Sequence, residues 1–425
     1  MNNKKAQALI DRARAAAASP GALSIYSSLV SIVVGMLLGF ILLVVFNPGA
    51  AGNGVVNLLT TAFREGDQLA KLLYQAAPLI FVGVAVGFAF KTGLFNIGAT
   101  GQYTIGAFMA LFGAITLQLP WYLCLVLAMI GGAIWGLFPG LFKALFNVNE
   151  VITSIMFNWI GLFLVNLLVN NVPMMLASAW PGSANSDRTA PLGVANPGAI
   201  LPRVKDILGE GAMNSMNKGS FYDFANSNYI NIGILIAIVF AIIAHFILNR
   251  TTFGYELKAC GSNRDASIYA GIDAKRNIIL SMVISGAFAG IGGGIAFLSG
   301  TVQFTIGKTL LAMGFNGIPV ALLAASHPIG IIFAALFIAY IQVGGDALQP
   351  EYAKEIIDII IAAIIYLSAF ALLMKSVIEK VVRSKKAQTE QDAANRAETD
   401  SDADSAEEIL PNETDISTEE EADAQ

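Results

Sequence analysis

Three polar clusters interrupt an otherwise apolar chain, and their side chains are mostly amides and hydroxyls. The first runs Lys91-Thr92-Gly93-Leu94-Phe95-Asn96-Ile97-Gly98-Ala99-Thr100-Gly101-Gln102-Tyr103. Asn96 and Gln102 each donate and accept hydrogen bonds without carrying charge. Gly93, Gly98 and Gly101 permit an unwound or tightly packed backbone, which membrane depth tolerates only inside protein or along an aqueous path. The second cluster spans residues 149–159, where Ser154 and Asn158 share a helix face by their i,i+4 spacing. Asn149 suits a helix cap there, and Glu150 suits the first turn. The third, around Asn316, repeats the texture of the first: glycine, aromatic, Asn, then an apolar helix. Phe95, Asn96, Gln102, Ser154, Asn158 and Asn316 together form a candidate lining for a path that takes a small neutral polar solute. The same amides serve equally well as hydrogen-bonding glue between helices.

One long charged segment stands inside the apolar body, residues 253–272, FGYELKACGSNRDASIYAGI. Cys260-Gly261-Ser262-Asn263 is expected to break a first helical stretch carrying Glu256 and Lys258. Asn263 then caps a short helix, Asp265 sits in its favourable first turn, and Gly271 closes it. A polar helix of this kind between membrane spans is either a docking piece for a soluble partner or a solvated connection.

The elements that must position these residues are membrane spans. Of 425 residues, 56% are hydrophobic and 13% charged, and the mean hydropathy is +0.66. That composition predicts an all-α polytopic membrane protein and excludes an ordinary soluble enzyme. Apolar runs at residues 26–46, 72–90, 99–117, 122–144, 151–170, 229–248, 277–298, 310–325, 329–345 and 355–374 predict about ten spans. The runs at 72–117 and 300–325 are cut by glycine and polar residues, which predicts broken or re-entrant helices. Gly286, Gly290 and Gly294 form a helix-packing ridge.

Basic residues set the orientation. With the N-terminus inside, inner segments hold 17 of the 25 Lys and Arg residues. This predicts a multi-pass protein of the cell membrane with both termini, and the 253–272 segment, in the cytoplasm. Residues 1–24 are a basic N-terminal segment, 25–375 the transmembrane domain and 376–425 a tail. Within the tail, residues 390–425 hold 14 acids and one base, Arg396, leaving 24 bases against 16 acids in the preceding 389 residues. Such a tail is expected to be disordered. The long outer connection, residues 171–228, is rich in Pro, Ser, Asn and Gly. It reads either as a docking face for an extracytoplasmic binding protein or as a cap over helix ends.

Several chemistries are missing. Gly300 to Gly307-Lys308-Thr309 has the wrong spacing for a phosphate-binding loop, so nucleotide hydrolysis belongs elsewhere. No span carries a carboxylate near its centre, which argues against proton coupling. Cys124 and Cys260 suggest neither a disulfide framework nor a metal site. No catalytic constellation, cofactor motif or nucleic-acid signature appears.

The motifs GLFNIGATGQ, NEVITSIMFNWI, GYELKACGSNRDASIYAGI and GFNGIPVALL occur in one order. Together they resemble the permease subunits of ABC importers in the branched-chain amino acid and simple sugar superfamily. The nucleoside-type permeases that work with a basic membrane lipoprotein receptor are the nearest in texture. The resemblance covers residues 25–375 and implies a second related permease, ABC ATPase subunits, an extracytoplasmic lipoprotein and a membrane-lipid environment. It also implies that the polar segment docks on the ATPase. Gly254, Glu256, Leu257, Ala259, Gly261, Asn263, Ala266, Ala270 and Gly271 stand at matching motif positions, with Arg264 and Asp265 between them. Thr100 stands where many relatives carry Glu, Pro319 where a small apolar residue is usual, and the turn Ala325-Ser326-His327 lacks its usual glycine. Simple sugars and branched-chain amino acids remain alternative solutes, and an ion-coupled secondary carrier remains an alternative of another class.

Overall fold

A computed structural model describes residues 20–182 and 186–370; the acidic tail and the basic lead lie outside the described residues. One compact unit runs from Ser24 to Met374, and its described part is helical throughout its spans. In chain order the helices are α1 (Pro20–Phe46), α2 (Ala51–Arg64), α3 (Gly66–Lys91), α4 (Ala99–Leu111), α5 (Trp121–Phe146) and α6 (Glu150–Asn171). Then, past a single helical turn at Leu192–Ala195, come α7 (Val204–Ser215), α8 (Ser220–Asn226), α9 (Gly233–Arg250), α10 (Thr252–Ser262), α11 (Arg264–Tyr269) and α12 (Ala274–Leu298). The series closes with α13 (Ala312–Leu323), α14 (Pro328–Asp346) and α15 (Lys354–Ala369).

A helix lies under each of the ten apolar runs, and seven of them (α1, α3, α5, α6, α9, α12 and α14) are long and apolar enough to cross a membrane. The other three, α4, α13 and α15, are shorter. At 13 residues α4 extends about 20 Å, less than the roughly 30 Å of a hydrocarbon core. It continues as a π-helical turn, Phe112–Thr116. Residues 92–98 break the helix between α3 and α4, and residues 299–311 lead into α13 without helix. The sequence reading missed α2, whose buried residues Ala51, Gly54, Leu58 and Ala62 recur at helical spacing but are mostly small.

α3 is the central rod. Its stretch from Ala76 to Ala89 is buried on every side, which suits a helix surrounded by other helices. α4 is buried at every position except Met109. α12 joins α4 and α5 through glycines, as the ridge at Gly286, Gly290 and Gly294 predicts. A Cβ on Gly132 would lie 2.2 Å from the Gly286 carbonyl oxygen, and one on Gly290 would lie 2.3 Å from the Ala128 oxygen. One on Gly106 would meet the Gly290 backbone at 2.3 Å. Between helices in lipid there is little hydrophobic drive, so close backbone approach supplies the packing energy. A second small core, with Leu43, Leu58, Ile341, Tyr352 and Ile364, ties α1, α2, α14 and α15 together.

The 171–228 connection is a built cap. Asn196 Nδ2 donates to the Ala114 and Leu119 carbonyls at 2.9 and 3.1 Å, covering the π turn. Thr189 N donates to the Phe304 oxygen at 2.9 Å, and Leu201 N to the Leu298 oxygen at 2.9 Å. Met175, Ala199 and Leu201 are buried beneath it.

Candidate transport path and docking surface

The polar core begins where α3 ends. Gly93, at φ +71°, turns the chain, and a side chain in that left-handed conformation is strained. Thr92 Oγ1 donates to the Ala89 carbonyl at 2.7 Å and shares a 2.5 Å hydrogen bond with Ser281 Oγ on α12. One helical turn further along α12, Ser285 Oγ donates to the Ala85 carbonyl at 2.7 Å and accepts from Asn96 Nδ2 at 2.6 Å. Asn96 and Gln102 exchange hydrogen bonds, Nδ2 to Oε1 at 2.9 Å and Nε2 to Oδ1 at 3.3 Å.

α6 clamps this cluster from the other side. Asn149 caps α6 by accepting from Val151 N at 2.8 Å, and Glu150 pairs with Lys143 of α5 at 2.9 Å. Asn158 then accepts from Gly101 N at 2.8 Å and donates to the Ile97 carbonyl at 3.1 Å. Asn96, Gln102, Ser154 and Asn158 are buried to within 1% exposure. The hydroxyls of Ser154 and Thr100 are buried without a hydrogen-bond partner among the described residues, a state that costs about 1–3 kcal/mol each. The first and third clusters abut: a Cβ on Gly314 of α13 would lie 2.5 Å from Thr100 Oγ1. Phe95 is 37% exposed and stacks on Phe90 at 5.1 Å. Asn316 is half-buried and joins none of these hydrogen bonds. Four of the six candidate lining residues thus form one buried unit, while Phe95 and Asn316 flank it.

The charged segment folds as two helices. α10 runs unbroken through Cys260, Gly261 and Ser262, so the interruption falls at Asn263, the last of the four residues expected to break the helix and three beyond Cys260. Thr251 caps α10 by accepting from Gly254 N at 3.0 Å, and Asn263 caps α11 by accepting from Ala266 N at 3.0 Å. Asp265 lies in the first turn of α11, Arg264 Nη1 reaches Asn147 Oδ1 at 3.5 Å, and Gly271 turns the chain away at φ +83°. Leu257 is fully buried, and Glu256 accepts from Asn277 Nδ2 of α12 at 3.2 Å. The outer surface stays open, with Tyr255 70%, Ile268 51% and Tyr269 94% exposed, and Ala270 is exposed beside them. A groove of about 590 Å³ runs between the two helices, with Tyr255, Glu256, Ala259 and Ala266 among its walls.

Two glycines seat this hairpin. A Cβ on Gly254 would lie 2.1 Å from the Ile247 carbonyl oxygen of α9. A Cβ on Gly261 would lie 2.7 Å from the Lys91 oxygen and 2.8 Å from Gly93 N. The exposed hairpin therefore rests, backbone on backbone, on the turn that leads into the amide cluster. Sequence reasoning named both ends of this connection but missed the joint, which pairs residues far apart in the chain.

Residues 68–369 match the family model described as the branched-chain amino acid transport system / permease component. The chain is 33% identical over 360 residues to the guanosine ABC transporter permease protein NupP of Bacillus subtilis (strain 168), covering 83% of this chain and 95% of that one. It is 33% identical over 360 residues to the nucleoside ABC transporter permease protein NupB of Lactococcus lactis subsp. cremoris, covering 83% and 92%. It is 29% identical over 363 residues to the glucose ABC transporter permease protein TsgB13 of Haloferax volcanii, covering 83% and 89%. Bacillus subtilis and Lactococcus lactis each hold a second matching permease protein. No solved structure matches significantly. The helical bundle, the uncharged polar core and these likenesses agree: the chain belongs to the branched-chain amino acid transport system permease family and is a membrane-spanning permease component of an ABC transporter.

Proposed function

We propose that this chain is a transmembrane subunit of an ATP-driven importer for nucleosides, paired with a second related permease and with separate ATPase subunits. An extracytoplasmic lipoprotein receptor delivers the solute. α10 and α11 face the cytoplasm and receive the ATPase; the basic-residue bias supports that orientation. The observation that carries the reading is the Gly261–Gly93 joint between an exposed hairpin and a buried, uncharged polar cluster.

Closure of the ATPases pushes on Tyr255, Tyr269 and the groove between α10 and α11. Gly261 transmits the push to the 91–93 turn, which is bonded to α12 through Thr92 and Ser281. The displacement pulls Asn96 away from Gln102 and Ser285, and a nucleoside takes up the freed amides. Each neutral hydrogen bond contributes only about 0.5–1.5 kcal/mol net, so exchanging protein partners for solute partners is nearly balanced and ATP supplies the bias. The orphaned hydroxyls of Ser154 and Thr100 gain partners when a sugar or base enters, which favours the loaded state. All these groups are uncharged, which suits a nucleoside better than a zwitterionic amino acid.

The name of the NupP relative supports a purine nucleoside, and the likeness to a glucose permease supports a second reading, a simple sugar. Uptake of labelled guanosine into cells expressing the assembled transporter, challenged with unlabelled nucleosides, glucose and leucine, separates them. Guanosine uptake blocked by nucleosides alone is expected. Glucose as the sole competitor would move the reading to sugars, and uptake that survives ATP depletion but not loss of the ion gradient would replace it with a secondary carrier.

A further inference from the structure

The chain's two histidines come from distant parts of the sequence and meet beside the hairpin. The rings of His245, near the end of α9, and His327, at the start of α14, lie 5.1 Å apart. Asn249 Nδ2 lies 3.1 Å from His245 Nδ1, and since the amide nitrogen donates, Nδ1 accepts. Gly330 N donates to His327 Nδ1 at 3.4 Å. Each neutral ring therefore carries its proton on Nε2, the nitrogen turned away from its own backbone. Lys258 of α10 donates to Asn249 Oδ1 at 3.3 Å and has no other hydrogen-bond partner among the described residues. Lys91, at the end of α3, donates to the Ala325 carbonyl at 3.3 Å, in the turn that carries His327. Ala325 and Ser326 hold φ values of +48° and +56°, a conformation side chains rarely adopt.

Four elements thus bring two lysine ammoniums, two imidazoles and an amide to a single spot, with no carboxylate among them in these contacts. The acid on these elements nearest in sequence, Glu256, is bonded to Asn277 of α12 instead. Burial first, then the like charge that His245 presents when protonated and that of Lys91, push the His327 imidazole below its usual range. The like charges add to the effect of burial, and an anion seated among them offsets their share. The apolar surroundings identify the anion's carrier. Phe246, beside His245, is 59% exposed, Ile242 is 51% exposed, and Phe333 on α14 is 69% exposed. A phosphate reaching this spot has acyl-chain contacts immediately beside it, as a lipid headgroup does.

We propose that the junction of Lys91, His245, Asn249, Lys258 and His327 is a binding site for the phosphate headgroup of an anionic phospholipid, in the leaflet on the hairpin's side. The assignment to the cytoplasmic leaflet rests on the orientation given under the proposed function; the site itself does not. A lipid held here touches α3, α9 and α10 together, next to the joint through which the hairpin acts.

The test is native mass spectrometry of the purified, assembled transporter, delipidated and then titrated with phosphatidylglycerol or phosphatidylcholine. Phosphatidylglycerol is expected to bind more tightly by about tenfold, because phosphatidylcholine brings a cationic choline to the same cluster of cations. In the double variant Lys258→Gln, His327→Gln that preference should disappear while assembly and melting temperature hold. If the double variant fails to assemble, Asn249→Asp, which adds a carboxylate among the cations, should weaken phosphatidylglycerol binding on its own. Equal binding of the two lipids, or an unchanged preference in the variants, overturns the proposal. Inorganic phosphate displacing phosphatidylglycerol at equal concentration also overturns it, in favour of a soluble-anion site. Because binding is read without transport, failure here leaves the solute reading untouched.

Discussion

Tyr269 at the tip of α11 is 94% exposed, whereas Asn96, Gln102 and Ser154, beyond the Gly261–Gly93 joint, expose nothing. The two regions are stabilised in opposite ways. The core around α4, α5 and α12 is fitted by shape, with glycines letting backbones approach to contact and amides bonding one another. The hairpin is shaped by local chemistry, two side-chain caps and a closing glycine, and meets the bundle along one edge at Gly254, Leu257 and Gly261, with its outer face left bare. A region fitted by shape fails when volume is added. A region fitted by local caps folds without its outer side chains and keeps them for a partner.

The largest effect is expected in the core. Gly132→Val drives a branched side chain into the Gly286 carbonyl, 2.2 Å from where the first carbon would sit. Neither backbone can yield without separating α5 from α12, so a loss of about 3 kcal/mol or more is expected. Purified variant should melt far below the parent or fail to accumulate. Gly211→Val is the matched control, because a Cβ there meets nothing within 4 Å, and its melting temperature should barely move. A normal melting curve for Gly132→Val would break the contrast between the regions.

Next comes the joint. Gly261→Ala places one methyl 2.7 Å from the Lys91 oxygen, at the edge of the bundle and not in its centre. The hairpin is expected to shift outward while the bundle stays folded. Uptake should fall by at least about tenfold, equivalent to some 1.4 kcal/mol of coupling, with ATPase subunits still bound and hydrolysing. Gly271→Ala is the sharper comparison. Its φ of +83° strains any side chain but no atom lies nearby, so it should cost about 1 kcal/mol of local stability and leave more uptake than Gly261→Ala. If both reduce uptake equally, the hairpin's shape matters and its seat on Gly93 does not.

What the sequence discloses divides along the same line. Asn149, Asn263 and Gly271 announce their roles because a cap or a left-handed turn is settled within four residues. The glycine ridge of α12 is equally plain, since its spacing is a property of one helix. The pairing of Gly261 with Gly93, the Asn96–Ser285 bond and the meeting of His245 with His327 join residues far apart in sequence, and no local pattern encodes such a partner. The order of the 171–228 cap was hidden for a similar reason. Its Pro, Ser, Asn and Gly composition reads as loop, but Asn196, Thr189 and Leu201 bond to backbone groups on distant elements. α2 escaped notice because alanine and glycine make up most of its buried stripe.

A smaller effect is expected at the hairpin's surface. Tyr269→Ala removes a ring that touches little in this chain, so folding and melting temperature should be unchanged. If the ring is an anchor for the ATPase, its loss costs about 1–2 kcal/mol of association, a five- to thirtyfold weaker Kd. A pull-down titration of the ATPase on the purified permease measures it, and an unchanged Kd would move the anchor to Tyr255 or to the groove.

The smallest change separates packing from transport inside the core itself. Asn96→Ala strips partners from both Gln102 and Ser285, so it should lower stability by about 1–3 kcal/mol and confuse folding with function. Ser154→Ala avoids that. The Ser154 hydroxyl is buried and bonds to no described residue, so deleting it removes an unsatisfied group and should leave the melting temperature equal or slightly higher. If the hydroxyl does nothing but fill space, uptake will follow stability and stay at the parental level. If it meets the solute, the apparent affinity for guanosine should drop about two- to tenfold, the worth of one neutral hydrogen bond, at unchanged maximal rate. A fall in affinity without a fall in melting temperature is the combination that purely structural glue cannot produce.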